Sequence, residues 1–249
     1  MNYIYKRISE ENMAKFDVKI TDNADLAREY AINGIPYIVV LNEKNKNESF
    51  PNGAYCVENI DDIDDSYKEM VYCRTKGLPL NILETKRLIV REITVSDVQR
   101  LYELYADESV TRYMEPLFEE IQQEIDYTKD YIKNIYGFYG YGMWILVLKE
   151  SNEIIGRAGL EYKEGFDGLE LGFMLGTKYQ RKGYAYEACK AIIEYAKEYL
   201  EQSSFRAVVH IENQASRRLC ERLGFKIDKC DMGDENKEYI KYSLSEAVR

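Results

Sequence analysis

Hydrophobic and polar residues follow two successive patterns along this chain, and the change between them falls near residues 76–79. In the first part the apolar positions predict strands at 17–22, 37–41 and 54–57 and helices at 24–33 and 63–76. The uninterrupted apolar run at 37–41 is typical of a strand buried on both faces of a parallel sheet. This order of elements predicts a small β-α-β-β-α domain over residues 1–80.

The second part predicts a larger domain of mixed α/β (α+β) class over residues 83–249. Ser96 and Gln99 match a capping box and indicate a helix start. Strands separated by short turns predict antiparallel neighbours. The predicted strands are 87–94, 144–149, 154–162, 169–175, 205–211, 225–231 and 237–244, and the predicted helices begin near 96 and cover 119–136, 184–201 and 214–223.

Composition excludes several classes of function. The chain has 34 Lys and Arg against 44 Asp and Glu, a net charge of −10. Phosphate backbones and anionic lipid surfaces attract basic proteins, so we expect neither a nucleic-acid nor a membrane partner. His210 is the only histidine, so a histidine-rich metal site is excluded and we expect no metal.

The cysteines and the N-terminal segment indicate the compartment. Cys56, Cys73, Cys189, Cys220 and Cys230 are odd in number and lack C-x-x-C spacing, which argues against a disulfide framework. The N-terminal segment carries no apolar signal region, and no stretch approaches the roughly 18 apolar residues of a membrane span. We therefore expect a cytoplasmic protein.

The strongest chemical signal is the turn between the strand at 169–175 and the helix that follows it. The helix begins near Gly183, directly after Arg181 and Lys182. Helix N-termini have unpaired N–H groups and the positive end of the helix dipole, and glycine permits close backbone approach. These features favour an anion such as a pyrophosphate, although a plain helix start with two solvated cations has the same pattern.

Three sequence blocks give this turn a family context. Gln180-Arg-Lys-Gly-Tyr-Ala185 matches the Q/R-x-x-G-x-G/A turn of the GNAT acyltransferase superfamily. Residues 213–225, with Asn213, Ser216 and Leu-Gly-Phe225, resemble a second signature of the ribosomal-protein N-terminal alanine acetyltransferase branch, and residues 83–92 resemble its opening strand. The resemblance implies a GNAT fold with a mixed, centrally splayed sheet and acetyl-CoA as the acyl donor.

The resemblance also assigns roles to residues. The backbone of Phe173, Met174 and Leu175 would bind the pantetheine, and Asn213 and Ser216 would line the exit side of the cofactor. The turn would hold the pyrophosphate through Gln180, Arg181, Lys182, Gly183, Tyr184 and Ala185. Asn213 is also a good N-cap, and both roles are compatible.

Two carboxylates are candidate catalytic bases, because an alkylammonium must lose a proton before it attacks a thioester. Glu170 matches a glutamate common in this branch, and Glu161 ends the preceding strand. Cys220 stands where many members of the superfamily have the tyrosine that protonates the departing thiolate. The cysteine is either that proton donor or a small apolar core residue, and solvent protonation would also suffice.

The expected function is transfer of an acetyl group to a primary amine, such as a protein N-terminus or a small cationic amine. The alternative is a catalytically inactive acyl-CoA-binding regulatory module. Residues 18–40 faintly resemble Rossmannoid domains but lack an upstream D-x-D motif, so phosphatase activity is not implied. We expect a docking or homodimerisation module there, with a ligand sensor as the alternative. The tyrosine-rich segment 131–141 indicates rings at the edge of the core, with a substrate pocket as the alternative.

Overall fold

The computed structural model describes residues 16–228 and 238–245 of the 249-residue chain. It contains a parallel sheet of three strands and a mixed sheet of eight. The predicted α/β class and the small N-terminal parallel sheet are therefore confirmed. Within the described ranges, no helix is both long and apolar enough to cross a membrane.

The small sheet has the order β1-β2-β3 and carries two helices. Asn23 caps the first helix by accepting the Leu26 N–H, and Gly77, at φ 65°, ends the second. The elements are β1 (Lys19–Thr21), α1 (Ala24–Ile32), β2 (Tyr37–Val40), β3 (Tyr55–Val57) and α2 (Asp65–Lys76).

The large sheet is built from the rest of the chain and has helices on both faces. Its elements are β4 (Asn81–Glu84), β5 (Leu88–Arg91), α3 (Val98–Tyr105), α4 (Glu108–Thr111), α5 (Ile121–Tyr131), α6 (Gly137–Tyr139), β6 (Met143–Leu148), β7 (Ile154–Tyr162), β8 (Leu169–Leu175), α7 (Tyr184–Tyr199), β9 (Ser204–His210), α8 (Gln214–Arg222), β10 (Lys226–Ile227) and β11 (Tyr239–Ser245). The strand order is β10-β11-β9-β8-β7-β6-β5-β4, and neighbours are antiparallel except β8 and β9.

The two parallel central strands pair only at their beginnings. Leu169 pairs with Phe205 and Glu170 with Arg206, and the pairing ends there. β9 remains paired with β11 along its whole length, so β8 and β9 diverge toward their carboxyl ends. This is the central splay that the sequence resemblance implied.

Several predicted boundaries were wrong in detail. The capping box is formed by Thr94 and Asp97, not by Ser96 and Gln99, because the Asp97 carboxylate accepts the Thr94 backbone N–H. The strand predicted at 87–94 is the shorter β5, and β4 forms a hairpin with it. The helix predicted at 119–136 changes at Ile132–Tyr136 into a π-helical turn, which continues into α6. Cys230 lies outside the described residues, as does the end (229–231) of the strand predicted at 225–231, whose described part contains the short β10.

A buried ion pair joins α2 to the large sheet. Arg74 donates to both carboxylate oxygens of Glu92, just after β5, with N–O distances of 3.1 and 2.6 Å. The two side chains are only 6% and 3% exposed. Such a pair stabilises one arrangement of its two elements, since removing either partner leaves a buried charge uncompensated.

We therefore expect Arg74→Met to lower the free energy of unfolding by about 3–5 kcal/mol. The double variant Arg74→Met/Glu92→Leu should recover most of that loss, because no buried charge remains. Urea denaturation of the wild type and of both variants measures the difference. A single variant as stable as the double variant would contradict this account.

Candidate active site

The turn from β8 to α7 has the backbone geometry of an anion-binding site. Arg181 and Gly183 both adopt left-handed conformations, with φ of 59° and 82°. Gly183 is the N-cap of α7 and provides no side-chain cap, so the first N–H groups of the helix lack that partner. Arg181, Lys182 and Gly183 are exposed. Alternating left- and right-handed residues aim successive N–H groups into one concavity, which suits phosphate oxygens.

Gln180 fixes the beginning of this turn. Its side-chain amide donates to the Leu175 carbonyl at 3.0 Å, which ties the turn to the last residue of β8. Tyr184 and Ala185, in the first helical turn, are half-buried against the core. The residues from Gln180 to Ala185 are thus held together as one structural unit.

Arg87, which directly precedes β5, holds the turn in place, and no sequence motif pointed to it. Its Nη1 donates to the Lys182 carbonyl at 3.0 Å and its Nε to Glu187 at 2.6 Å, and the guanidinium lies 4.3 Å from the centre of the Tyr184 ring. Glu187 also accepts the Arg87 backbone N–H and the Thr85 hydroxyl. The available signal was Glu187 itself, two residues after the turn motif at 180–185.

These hydrogen bonds control the ionisation of Glu187. Burial by itself raises the pKa of a carboxyl group, but the bonds from Thr85 and Arg87 favour the charged form more strongly, and the pKa of Glu187 is lowered. The carboxylate therefore stays charged where it anchors α7 beside β5.

The splay leaves one edge of β8 open beside this turn. Phe173, Met174 and Leu175 lie beyond the last residue of β8 that pairs with β9. Phe173 is half-buried, and Met174 and Leu175 are buried. Their backbone groups on that side have no strand partner in the described sheet, as an extended ligand in the gap requires.

The two candidate bases are neighbours. Glu161 and Glu170 occupy opposite positions in the β7–β8 ladder, so their side chains lie on the same face. Each forms an ion pair: Lys163 Nζ lies 3.0 Å from Glu161 Oε2, and Arg206 Nε lies 2.8 Å from Glu170 Oε2. Both carboxylates are partly exposed, at 35% and 21% of the side chain, and remain reachable from solvent.

Cys220 and Asn213 both have structural roles in α8. Cys220 is fully buried, and burial together with the charge of Glu221 raises the pKa of its thiol to about 12. This favours the role as a core residue. Asn213 caps α8 by accepting the Ser216 N–H at 3.1 Å, and Ser216 is half-buried in the first turn. His210 stacks on Tyr113, with ring centres 4.7 Å apart.

The chain has the features that define an acyltransferase of the GNAT type: the sheet order, the diverging central strands and the uncapped glycine turn. A family model described as acetyltransferase (GNAT) domain matches residues 87–226, more than half of the chain. The chain therefore belongs to the GNAT acetyltransferase family and is an acyltransferase enzyme.

Individual proteins that are similar to this chain are also named as acetyltransferases. The chain is 30% identical to the uncharacterized N-acetyltransferase YoaA of Bacillus subtilis, over 58% of this chain and 82% of YoaA. It is 29% identical to the [ribosomal protein uS5]-alanine N-acetyltransferase of Escherichia coli, over 60% and 80%. The structure of the microcin C7 self immunity acetyltransferase MccE, in complex with acetyl-CoA and AMP, matches with a TM-score of 0.53 at 15% identity, over 65% and 93%.

The lowered pKa of Glu187 predicts a pH-dependent contribution to stability. The folded carboxylate stays charged below the ordinary glutamate pKa of 4.5, so its contribution is complete above the pKa of the unfolded chain and is lost as pH falls through the folded one. The stability difference between wild type and Glu187→Gln should thus be largest near neutral pH and shrink below pH about 4.

Melting curves across this pH range test the prediction. Glu198→Gln, an exposed position on the same helix, is the matched control and should show no such trend. A Glu187→Gln difference that stays constant as the pH falls would refute the role of the charged carboxylate.

Proposed function

We propose that this enzyme transfers an acetyl group from acetyl-CoA directly to a primary amine. The observation that carries the proposal is the gap between β8 and β9, which leads into the turn at 180–185. Acetyl-CoA is named in the MccE structure, and the uS5 relative acetylates an alanine. Together these support acetyl-CoA as donor and an amine as acceptor, and they do not favour an inactive regulatory module.

The residues of the turn suit the charged part of acetyl-CoA. The pyrophosphate would accept hydrogen bonds from the N–H groups near Gly183, and the side chains of Arg181 and Lys182 would compensate its charge. The open backbone edge of Phe173 to Leu175 would hydrogen-bond the pantetheine. Gln180, Tyr184 and Ala185 would shape the turn, while Asn213 and Ser216 would line the exit side.

Glu170 is the proposed general base, with Glu161 as its neighbour. When bound, acetyl-CoA supplies an activated thioester carbonyl. The acceptor enters as an ammonium with a pKa of about 10, and Glu170 accepts its proton directly or through water. The neutral nitrogen then bonds to the acyl carbon, the carbon–sulfur bond breaks, and the nitrogen releases its surplus proton to water to give the amide. Backbone N–H groups of β8 can stabilise the oxyanion without a side chain.

Solvent is the proposed proton source for the departing thiolate. A thiol whose pKa is about 12 is a weak donor to a thiolate whose own pKa is about 8.5. We therefore assign Cys220 to packing rather than to proton transfer. The cytoplasmic location, the absence of a metal and the homodimer stay predictions from the sequence.

Gly183→Asp should weaken acetyl-CoA binding at least tenfold in calorimetric titration, because a carboxylate in the turn repels the pyrophosphate. Gly34→Asp is a matched control: Gly34 is also left-handed and exposed, but it lies in the small N-terminal sheet region. Equal affinities for the two variants, or no binding by the wild type, would refute the cofactor site.

Glu170→Gln should lower kcat by about 100-fold or more, since an amide cannot accept the ammonium proton. Its affinity for acetyl-CoA should stay near the wild-type value. CoA release followed with a thiol reagent measures turnover, and Glu161→Gln, at the facing position, shows which carboxylate is the base. A fully active Glu170→Gln enzyme would eliminate Glu170 from that role.

A further inference from the structure

A cleft of about 370 Å³ lies between α5, its π-helical extension, the segment 139–141 and the end of β7. Its lining includes much of the tyrosine-rich segment noted in the sequence. Rings from Tyr127, Tyr131, Tyr139, Tyr141 and Tyr162 all contribute to its walls. The volume falls in the ordinary range for sites that bind small organic molecules.

The tyrosines of this region divide into two groups. Tyr131 and Tyr136 are buried, and their hydroxyls bind the backbone N–H and carbonyl of Met143 at 2.7 and 2.5 Å. They fix α5 and the π turn to β6. Tyr139 and Tyr162 are 39% and 53% exposed and stack on each other, with ring centres 6.3 Å apart and planes at 15°. Both residues line the cleft and are partly exposed there.

The π turn creates this division. Five residues, Ile132–Tyr136, are wound more loosely than in an α-helix, so the residues beyond it are displaced from the face that they would occupy in a regular helix. Tyr136 is directed into the core, while Tyr139 reaches the cleft.

The charges of the cleft complement a cation. Asp130, on α5, and Glu161, on β7, both line the cleft. Lys163 is the only cationic residue among those that line the described cleft, and it is paired with Glu161. Ring faces attract cations as well. Carboxylates and aromatic rings thus occur together, and no arginine is among the residues that line the described cleft.

The cleft also adjoins the proposed base. Glu161 lines the cleft and sits opposite Glu170 in the β7–β8 ladder. An amine that enters along Glu161 therefore approaches Glu170 and the open edge of β8 from the face that carries α3 and α5. The cleft is placed to supply the acceptor rather than to bind an unrelated ligand.

We propose that this cleft binds the acceptor and that the acceptor is an aliphatic diamine or polyamine. One ammonium would lie over the rings of Tyr139 and Tyr162 near Asp130, and the second amine would reach Glu161 and Glu170. The alkyl chain between them would pack on the tyrosine faces. This inference rests on the proposed acetyl transfer and specifies its substrate.

The test compares acceptors that differ by a single ammonium. Steady-state CoA release is measured with the diamine cadaverine, with pentylamine and with a short peptide that begins with alanine. The wild type should acetylate cadaverine with a KM at least tenfold below that for pentylamine. A peptide preferred over cadaverine, or equal KM values for the two amines, would overturn the proposal while leaving acetyl transfer intact.

Variants of residues that line the cleft show which side chains recognise the acceptor. Tyr162→Leu should raise the KM for cadaverine about tenfold, whereas Tyr162→Phe, which keeps the ring, should change it little. Asp130→Asn should raise the KM for cadaverine and leave that for pentylamine unchanged. Tyr199→Leu is the matched control, a 47% exposed tyrosine on α7 outside the cleft. Equal effects of Tyr162→Leu and Tyr199→Leu would overturn the assignment.

Binding measurements separate this proposal from the one on which it rests. If the wild type fails to bind acetyl-CoA in calorimetry, the proposed function itself is wrong. If it binds acetyl-CoA but, in the presence of CoA, shows no cadaverine binding that depends on Tyr162 and Asp130, only the acceptor assignment is wrong.

Discussion

The incomplete pairing of β8 with β9 is the constraint on which the rest of the structure depends. Two parallel residue pairs hold the strands together at Leu169 and Glu170, and beyond them each strand follows its other neighbour. The sheet therefore stays continuous while one backbone edge of β8 is open. Because β8 leads directly into the turn before α7, the open edge and the proposed anion-binding turn form one continuous surface.

Long-range contacts hold that surface in place. Arg87, on the β4–β5 side, reaches the Lys182 carbonyl and Glu187, about 100 residues away in the chain. Glu187 in turn fixes the first turn of α7, and its charged state depends on the same hydrogen bonds. At the other end of β5, the Arg74–Glu92 pair attaches the N-terminal region. β5 thus connects the turn at 180–185 to the N-terminal region.

Local sequence predicted those parts of the fold that depend on neighbouring residues. The short turns that bound them predicted β7 and β8 with the observed limits, and Gly183 marked the start of α7. The π turn at Ile132–Tyr136 escaped prediction because its apolar spacing is close to that of an α-helix. The role of Arg87 was not predicted because its partners are distant in the chain. The cleft depends on both the π turn and the end of β7, so the tyrosine-rich segment alone left its role open.

Amide hydrogen exchange with and without acetyl-CoA tests the central claim most directly, because it reports on the backbone groups that would bind the ligand. Acetyl-CoA should slow exchange in segments 171–175 and 180–185, where the open strand edge and the uncapped turn lie. Exchange in the paired β6 should change little. Saturating acetyl-CoA that leaves both segments unprotected, or protects only regions away from the β8–β9 gap, would contradict the account.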